Sequence, residues 1–399
     1  MSNNTVQPYG PLLVTLTCKY DLAWSDAGSG ADKDGSFWTP KSQNNGRLRP
    51  LGSVAIRSYA GANDNRATIL VGDNGQRAVA SPTGYSWIYD STGTGSGSFA
   101  CVWRPIAPAG YVAMGDVLWG GRNAPPLDHV WCVRSDLVTQ GEYTSPQVWN
   151  DNGSGGEHSV GIWAVQPLRG ARYDADKVPF FADTFISINH ADTVPNNGLA
   201  RVLLLPVPAQ LSDIVPLPPV LTSHTAPTTT TSLEKEREVK LPFICLFPPT
   251  DRPSIDRIDN PFCSIQRWGS WSLSMWDDNT TSRDQDSSTS TTVGVSDSQS
   301  EEFSHSAGIK ITSGAGISVG VFNASGSYEL NYQFTYTSST SRELLSSKTV
   351  TRNLKTPPGK ACALWVRHFV FRSVRADGSN IGYDLPFDVN VFNHAEFPA

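Results

Sequence analysis

The chain has 399 residues and a net charge of −6, which predicts two or three domains and, without a long basic cluster, excludes nucleic acid as a partner. No run of about 18 apolar residues occurs, so a membrane-spanning helix is excluded. Residues 1–4 do not begin a secretory signal, and we expect a soluble protein that is released or extracellular and later meets a target-cell membrane.

The composition favours a β-rich protein that is not an enzyme. Charged residues make up 17% of the chain, below the roughly 25% of typical globular proteins, and Ser, Thr, Gly and Asn take their place. Six cysteines are spread singly without metal-type spacing; we expect most of them to be reduced and buried, and a Cys245–Cys263 disulfide stays open as an alternative. No HExxH, GxSxG or phosphate-loop motif occurs, so we expect no catalytic residues, metal or other cofactor.

Three similar segments in the first half predict a repeated β unit. Residues 24–38, 89–103 and 149–163 each contain an aromatic residue, a turn with Asp and Gly, and a later Trp. Glycine permits a positive φ in such turns, and Asp hydrogen-bonds its own backbone there. Units of about 60 residues around a pseudo-threefold axis predict a β-prism, with a β-trefoil as the alternative.

The central unit carries the most specific pattern. It contains Trp103-Arg104-Pro105, GYVAMG at residues 110–115, Pro125-Pro126 and CVRSDL at residues 132–137. This pattern closely resembles the vacuolar protein sorting-associated protein 62 family, and the likeness covers roughly residues 10–205. The resemblance implies a β-prism related to membrane-associating prism domains. It does not imply a sorting function, because fold and function separate easily.

The three Asp/Gly loops are expected to cluster at one end of the prism. One interpretation is that they are only well-formed turns. The other is a polyvalent site for a glycan or lipid head group, in which weak single sites add through multivalency. Asp accepts hydrogen bonds from sugar hydroxyls, glycine lets a backbone approach, and Trp stacks on a sugar ring. The candidate receptor-binding residues are Trp24, Asp26, Asp90, Trp149 and Asp151.

The middle of the chain is interpreted as a linker. Residues 206–240 are rich in Pro and Thr and contain a charged run at residues 234–238. We expect an extended segment whose charged run is exposed and accessible to proteases. It separates a binding domain of residues 1–205 from a second β domain of residues 241–399.

Long polar strands are predicted in the second half. From Thr280 to Leu345, 25 of 66 residues are Ser or Thr, which is unusual for the core of a monomer. Such strands can lie on a soluble surface and later line a pore without burying charge. Residues 328–336 alternate aromatic or Leu with polar residues and predict a further strand with one buried face.

A hairpin is predicted between Phe303 and Ser325, because apolar and polar residues alternate with period 2. Each arm of roughly 10 residues has about the length of a tilted transmembrane strand, with one face for lipid and one, including Lys310, for a water-filled lumen. The same alternation is typical of any half-buried antiparallel strand. A turn at residues 313–315 gives the cross-strand pairs Ile311–Ile317, Lys310–Ser318, Ile309–Val319 and Ala307–Val321. The candidate insertion residues are Phe303, Ala307, Ile309, Lys310, Ile311, Ile317, Val319 and Val321.

The second half looks like an aerolysin-type β-pore-forming domain, the class that includes the epsilon-toxin and mosquitocidal-toxin families. The resemblance implies an elongated antiparallel β domain whose hairpins unfurl into a shared barrel after receptor binding, and often proteolysis. We therefore expect a β-pore-forming toxin, with insects among its targets, whose partners are a membrane receptor and further copies of itself. The alternative is a lectin-like protein that binds a glycan or lipid without forming a pore.

Overall fold

The fold was analysed in a computed structural model that describes residues 4–168, 171, 177–207, 210–211, 216–307, 309–312, 316–319 and 347–398. Within these ranges the chain is almost entirely antiparallel β-structure, with two α-helices and three short 3-10 helices. The all-β fold class is therefore confirmed. The strand predicted at residues 328–336 lies outside the described residues.

The first half of the chain consists of short strands. They are β1 Gln7–Tyr9, β2 Leu12–Thr17, β3 Tyr20–Ser25, β4 Ser36–Pro40, β5 Val54–Ile56, β6 Thr68–Asp73, β7 Val79–Ala80, β8 Gly84–Asp90, β9 Ala100–Ile106, β10 Tyr111–Val112, β11 Val117–Gly120, β12 Cys132–Arg134, β13 Val138–Tyr143, β14 Trp149–Asn150, β15 Gly161–Pro167, β16 Lys177–Phe180, β17 Phe185–Ile188 and β18 Arg201–Pro206. Two 3-10 helices, Ser135–Leu137 and Asn197–Leu199, lie between them.

These strands form a prism with pseudo-threefold symmetry. One ring consists of the sheets β3-β4-β5, β8-β9-β11 and β14-β15-β17, one from each unit. A second ring consists of β1-β2-β6, β7-β12-β10 and β13-β18-β16, and β13 also pairs with β15. Corresponding cross-strand pairs recur in the first ring as Trp24–Phe37, Tyr89–Val102 and Trp149–Ile162. The predicted β-prism is therefore confirmed.

Aromatic side chains from the units fill the axis of the first ring. The rings of Trp24 and Trp149 lie 5.6 Å apart, and Phe37 lies 5.7 Å from Trp149. Trp24 Nε1 donates to the carbonyl of Ser98 at 3.0 Å, and Trp149 Nε1 donates to the carbonyl of Lys33 at 2.8 Å. Each indole thus reaches a loop of the next unit, so the axial core also holds the units together.

The second half contains longer strands and both α-helices. In chain order the elements are β19 Gln210–Leu211, β20 Glu234–Pro242, the 3-10 helix Phe243–Cys245, α1 Arg252–Ile255, β21 Phe262–Asp278, β22 Gln285–Val293, α2 Asp297–Ala307, β23 Ile309–Thr312, β24 Gly316–Val319, β25 Lys348–Thr356, β26 Ala361–Arg375 and β27 Asn380–Phe397. The main sheet has the order β19-β20-β21-β26-β27. Because a strand rises about 3.3 Å per residue, the 17 residues of β21 span roughly 55 Å, and the domain is elongated.

One apolar core is shared by the two halves. It includes Leu12 and Phe180 from the prism together with Val239 and Phe387 from the main sheet. Backbone contacts cross the same boundary, since the Ala67 N–H donates to the Pro249 carbonyl at 2.8 Å. The halves are therefore packed against each other and are not joined by a linker alone.

Two segments of the predicted linker belong to the main sheet, since β19 pairs with β20 and β20 pairs with β21. Residues 216–233 run beside the main sheet and are mostly exposed, with the Pro216 carbonyl accepting a hydrogen bond from the Trp271 indole at 3.1 Å. The charged run, in contrast, lies within β20. Glu236 is only 3% exposed and forms ion pairs with Arg267, at 3.0 Å, and with Arg367. The prediction of an exposed charged run is wrong, because arginines on neighbouring strands neutralise this carboxylate inside the sheet.

All six cysteines are buried and free. Cys245 and Cys263 both belong to the shared core and form no disulfide, so the interpretation of these residues as small buried apolar groups is confirmed. Burial raises the pKa of the Cys263 thiol to about 12 and that of Cys132 to about 12. These thiols therefore stay protonated at neutral pH.

Candidate functional site

The candidate insertion segment is bracketed by a two-stranded ribbon, β22 and β25. The register runs without a break from Gln285–Thr356 to Val293–Lys348. Both strands are rich in hydroxyl side chains, and most of their residues are exposed or half-buried. Because Val293 and Lys348 lie opposite each other, residues 294–347 leave and re-enter the ribbon at one point.

Helix α2 occupies the beginning of this segment, where the alternating pattern predicts a strand. The prediction that Phe303 and Ala307 lie in a hairpin strand is wrong for this structure. A capping box begins the helix: the Gln299 N–H donates to Ser296 Oγ at 3.3 Å, and the Ser296 N–H donates to Gln299 Oε1 at 3.0 Å. Such reciprocal bonds satisfy free N–H groups at a helix start. The Ser-x-x-Gln sequence is the signal that would have revealed the helix.

One aromatic side chain and one close backbone approach hold α2 on the main sheet. Phe303 is the only large apolar residue of the helix, is 3% exposed and lies in the core shared by the two halves. On β27, Gly382 has a φ of +69°, and an added Cβ there would lie 2.6 Å from the carbonyl carbon of Ser306. Only glycine adopts this backbone conformation easily and leaves room for the helix.

The predicted hairpin is present as β23 and β24. The structure pairs Ile309 with Val319, Lys310 with Ser318 and Ile311 with Ile317, so these three predicted pairs are confirmed. Of the fourth predicted pair, Ala307 ends α2, and its predicted partner Val321 lies outside the described residues. The pairs alone do not assign a membrane role.

The three Gly-rich loops of the prism meet at one end, as the repeat predicts. The Asp32 N–H of the first loop donates to the Asn152 carbonyl of the third at 2.7 Å. The Glu157 N–H of the third donates to the Thr92 carbonyl of the second at 2.9 Å. A Cβ added to Gly28 would lie 3.3 Å from a carbonyl oxygen of the second loop. The loops therefore also bond to one another.

The Trp and Asp side chains predicted to bind a receptor have structural roles instead. Trp24 and Trp149 are 2% and 1% exposed and form the axial core, so their rings are not available to stack on a sugar. Asp26 accepts hydrogen bonds from the Gly35 N–H at 2.9 Å and from Trp149 Nε1 at 2.8 Å. Asp151 likewise accepts a backbone N–H of its own unit at 2.8 Å and is buried. These carboxylates fix turns.

In the second unit, Ser91 takes the place of the aspartate. The Ser91 N–H donates to the Ala100 carbonyl at 3.0 Å, and the Ala100 N–H donates to Ser91 Oγ at 3.0 Å, which repeats the pattern of the other two units. Asp90 is one residue out of register, accepts the Thr92 N–H at 3.0 Å and lies 3.7 Å from His158 Nε2. The predicted set of three equivalent aspartates is therefore wrong.

A buried ion pair also links the units. Asp116 is fully buried and accepts hydrogen bonds from Arg104 Nε and Nη2 at 2.8 Å each and from the Ser187 N–H at 2.6 Å. Among the described residues, no group of three His, Cys, Asp or Glu side chains is placed to hold a metal ion. A helix long and apolar enough to span a bilayer is likewise not found in that part of the chain.

Solved structures that are similar to the chain include those of GNIP1Aa and Cry35Ab1. GNIP1Aa from Chromobacterium piscinae is 24% identical, over 47% of this chain and 35% of its own, with a TM-score of 0.38. The chain thus spans about a third of the length of that protein. Cry35Ab1 is 10% identical, over 98% of this chain and 91% of its own, with a TM-score of 0.38.

The first half also matches a sequence family. No curated protein is significantly similar to the chain, but residues 10–200 match the family described as vacuolar protein sorting-associated protein 62. The match confirms the resemblance that the motifs of residues 102–138 predict. The prism of this chain is therefore similar to the vacuolar protein sorting-associated protein 62 family over residues 10–200.

Proposed function

We propose that the protein is a β-pore-forming toxin that binds a target-cell membrane through its prism, oligomerises and inserts a barrel built from its 303–325 hairpins. The ribbon of β22 and β25 carries this proposal. It is paired to its last residues, Val293 and Lys348, and the hairpin β23–β24 lies between them in sequence. Extending the ribbon in its own register would keep all of its pairs but would replace those of β23–β24, because Ile309 lies 16 residues after Val293 whereas Val319 lies 29 residues before Lys348. The proposal therefore includes a change of register in the hairpin when the arm extends.

The conflict between pattern and structure in α2 supports a change of state. From Phe303 onward the sequence alternates as a strand does, yet residues 303–307 are helical. Natural sequences normally agree with their local structure, so a disagreement points to a second conformation. We infer that this stretch is helical before membrane insertion and forms a strand after it.

Oligomerisation is required for insertion on physical grounds. A single hairpin in lipid leaves the N–H and C=O groups of both edges unpaired, at several kcal/mol for each group. A closed ring pairs every edge with a neighbour. Apolar positions such as Ile309 and Val319 then face lipid, and Lys310 faces the lumen.

Two neighbouring substitutions on opposite faces of β24 test the proposal. Ile317→Lys places a charge on the proposed lipid face of every subunit. Such a charge costs about 0–1 kcal/mol per subunit near the interface and about 2–4 kcal/mol at the bilayer centre, and the cost is summed over the ring. Ser318→Lys places the same charge on the lumen face, where water solvates it. We expect the first variant to lose dye release from vesicles of susceptible cells, assayed before and after mild proteolysis. The second should retain release and alter ion selectivity.

The assay also separates the alternative function. Equal dye release by Ile317→Lys and Ser318→Lys would refute the assignment of faces. A wild-type protein that binds the vesicles but causes no release and forms no large oligomers would instead be a lectin-like or lipid-binding protein without a pore.

A further inference from the structure

The first two units of the prism enclose a surface cleft that the pore proposal does not use. Its volume is about 550 Å³, within the range of roughly 300–1,000 Å³ of ligand pockets. Strands β3 and β4 form one wall, and the end of β11 with the segment at His129 forms the other. The hydroxyls of Thr39 and Ser42 line it together with Trp119 and the ion pair of Asp21 and Lys41.

The charged groups of the cleft balance each other. Lys41 Nζ lies 2.8 Å from Asp21 Oδ1, and the two side chains are 49% and 69% exposed, so both can bond to a ligand. Burial lowers the pKa of His129 to about 4, with Asp128 raising it and Arg49 lowering it further. The imidazole is therefore neutral at pH 7. A cleft with no excess charge favours a neutral ligand over a phosphate or another anion.

Aromatic and polar groups lie side by side in the cleft. The rings of Trp119 and His129 pack edge to face with their centroids 4.7 Å apart, which fixes the indole, and Trp119 remains half-exposed. Leu22 lines the same cleft and is exposed. A sugar ring presents a C–H face that packs on such a surface and hydroxyls that bond to carboxylate and ammonium groups.

The fold itself does not require this ion pair. In the second unit the positions that correspond to Asp21 and Lys41 hold Ser86 and Ile106. The cleft between the first and third units is smaller, about 250 Å³, and its carboxylate, Asp183, is buried in a pair with Arg66, whereas Arg57 is exposed. The first cleft thus differs from the other in having an exposed ion pair, Asp21 and Lys41, beside the indole of Trp119.

We propose that this cleft binds a neutral glycan, with a sugar ring against Trp119 and its hydroxyls bonded to Asp21 and Lys41. The site differs from the loop residues that the sequence predicts. It holds whether or not the protein forms a pore, because it depends only on the prism.

The test uses the whole chain and an array of neutral, sialylated and sulfated glycans. We expect the wild-type protein to bind neutral glycans, and Lys41→Ala and Trp119→Ala each to weaken binding about tenfold or more. Lys19→Ala is the matched control, since Lys19 forms a similarly exposed ion pair with Asp64 outside the cleft. It should bind as the wild type does. Thermal unfolding of every variant checks the fold, and the exposed Lys41→Ala decides the outcome if Trp119→Ala is unstable.

Three outcomes would overturn the proposal. They are no binding to any neutral glycan, a preference for the anionic glycans, or equal binding by Lys41→Ala and Lys19→Ala. None of these bears on dye release by Ile317→Lys and Ser318→Lys, so failure of the glycan site and failure of the pore proposal are distinguishable.

Discussion

Replacing Phe303 with Ala is expected to release α2 from the main sheet while the rest of the chain stays folded. Truncating a buried Phe costs about 3–5 kcal/mol, and Phe303 is the only large apolar side chain of this helix. Most of the loss therefore falls on the docking of α2. At about 1.4 kcal/mol per tenfold change, the equilibrium shifts toward the undocked helix by about two orders of magnitude or more.

Hydrogen exchange followed by mass spectrometry measures this shift directly. We expect peptides covering residues 297–307 to exchange much faster in Phe303→Ala, while peptides from β26, an inner strand of the main sheet, keep their protection. If the helix restrains the hairpin, the same variant should release dye at a lower protein concentration than the wild type.

Two further variants make the result interpretable. Phe303→Leu keeps an apolar side chain and should cost less than about 1.5 kcal/mol, with little change in exchange. Gly382→Ala perturbs the same contact from the opposite side, because its Cβ meets Ser306 and its φ is positive, and it should expose α2 as well. Loss of protection in α2 and β26 together would refute the reasoning, since the helix would then not open as a separate unit.

Two predictions concern stability. Glu236→Gln leaves the buried charges of Arg267 and Arg367 without their carboxylate and should cost about 3–5 kcal/mol in urea unfolding. Lys19→Ala, at an exposed pair with Asp64, should cost less than about 1 kcal/mol, and equal losses in the two variants would contradict the prediction. Burial lowers the pKa of His129 to about 4, so the unfolded chain takes up this proton first as the pH falls. Stability should therefore decrease by up to about 3 kcal/mol between pH 6.5 and 4, and urea unfolding of His129→Gln should lack this part of the slope.

Features with a local cause were predictable from the sequence. The register of β23 and β24 follows from period-2 alternation around a short turn, so Ile309, Ile311 and their partners were placed correctly. The prism followed from the repeat and its glycine-containing turns. Helix α2 was missed because alternation was given more weight than the capping box at Ser296 and Gln299.

Features that depend on long-range packing were not predictable. A Trp beside an Asp/Gly turn is compatible with a ligand surface or a core, and only the closure of three units shows that Trp24 and Trp149 point to the axis. The charged run of β20 predicts an exposed segment, because the residue that neutralises Glu236 is Arg367 of β26, which lies 131 residues away in the sequence. The cleft proposed to bind a glycan likewise joins Lys41 to Trp119 across two units, and no local pattern connects them.

Under the pore proposal, the helical form of residues 297–307 protects the protein from aggregation before insertion. A ribbon extended through residues 294–347 would present two long unpaired edges and an apolar face to water, and such edges aggregate. A helix forms its backbone hydrogen bonds within itself. While these residues are helical, they present no free strand edge with which another chain could pair.

Phe303 sets the free-energy cost of undocking α2 from the main sheet. Undocking the helix exposes one aromatic side chain, worth about 3–5 kcal/mol when buried, while ring closure pairs the backbone groups along each new edge. A few such pairs, each costly to leave unmade in lipid, offset the loss of the anchor. Under the pore proposal, release of α2 is therefore expected to be unfavourable for an isolated subunit and favourable within a ring, and assembly would be the event that permits insertion.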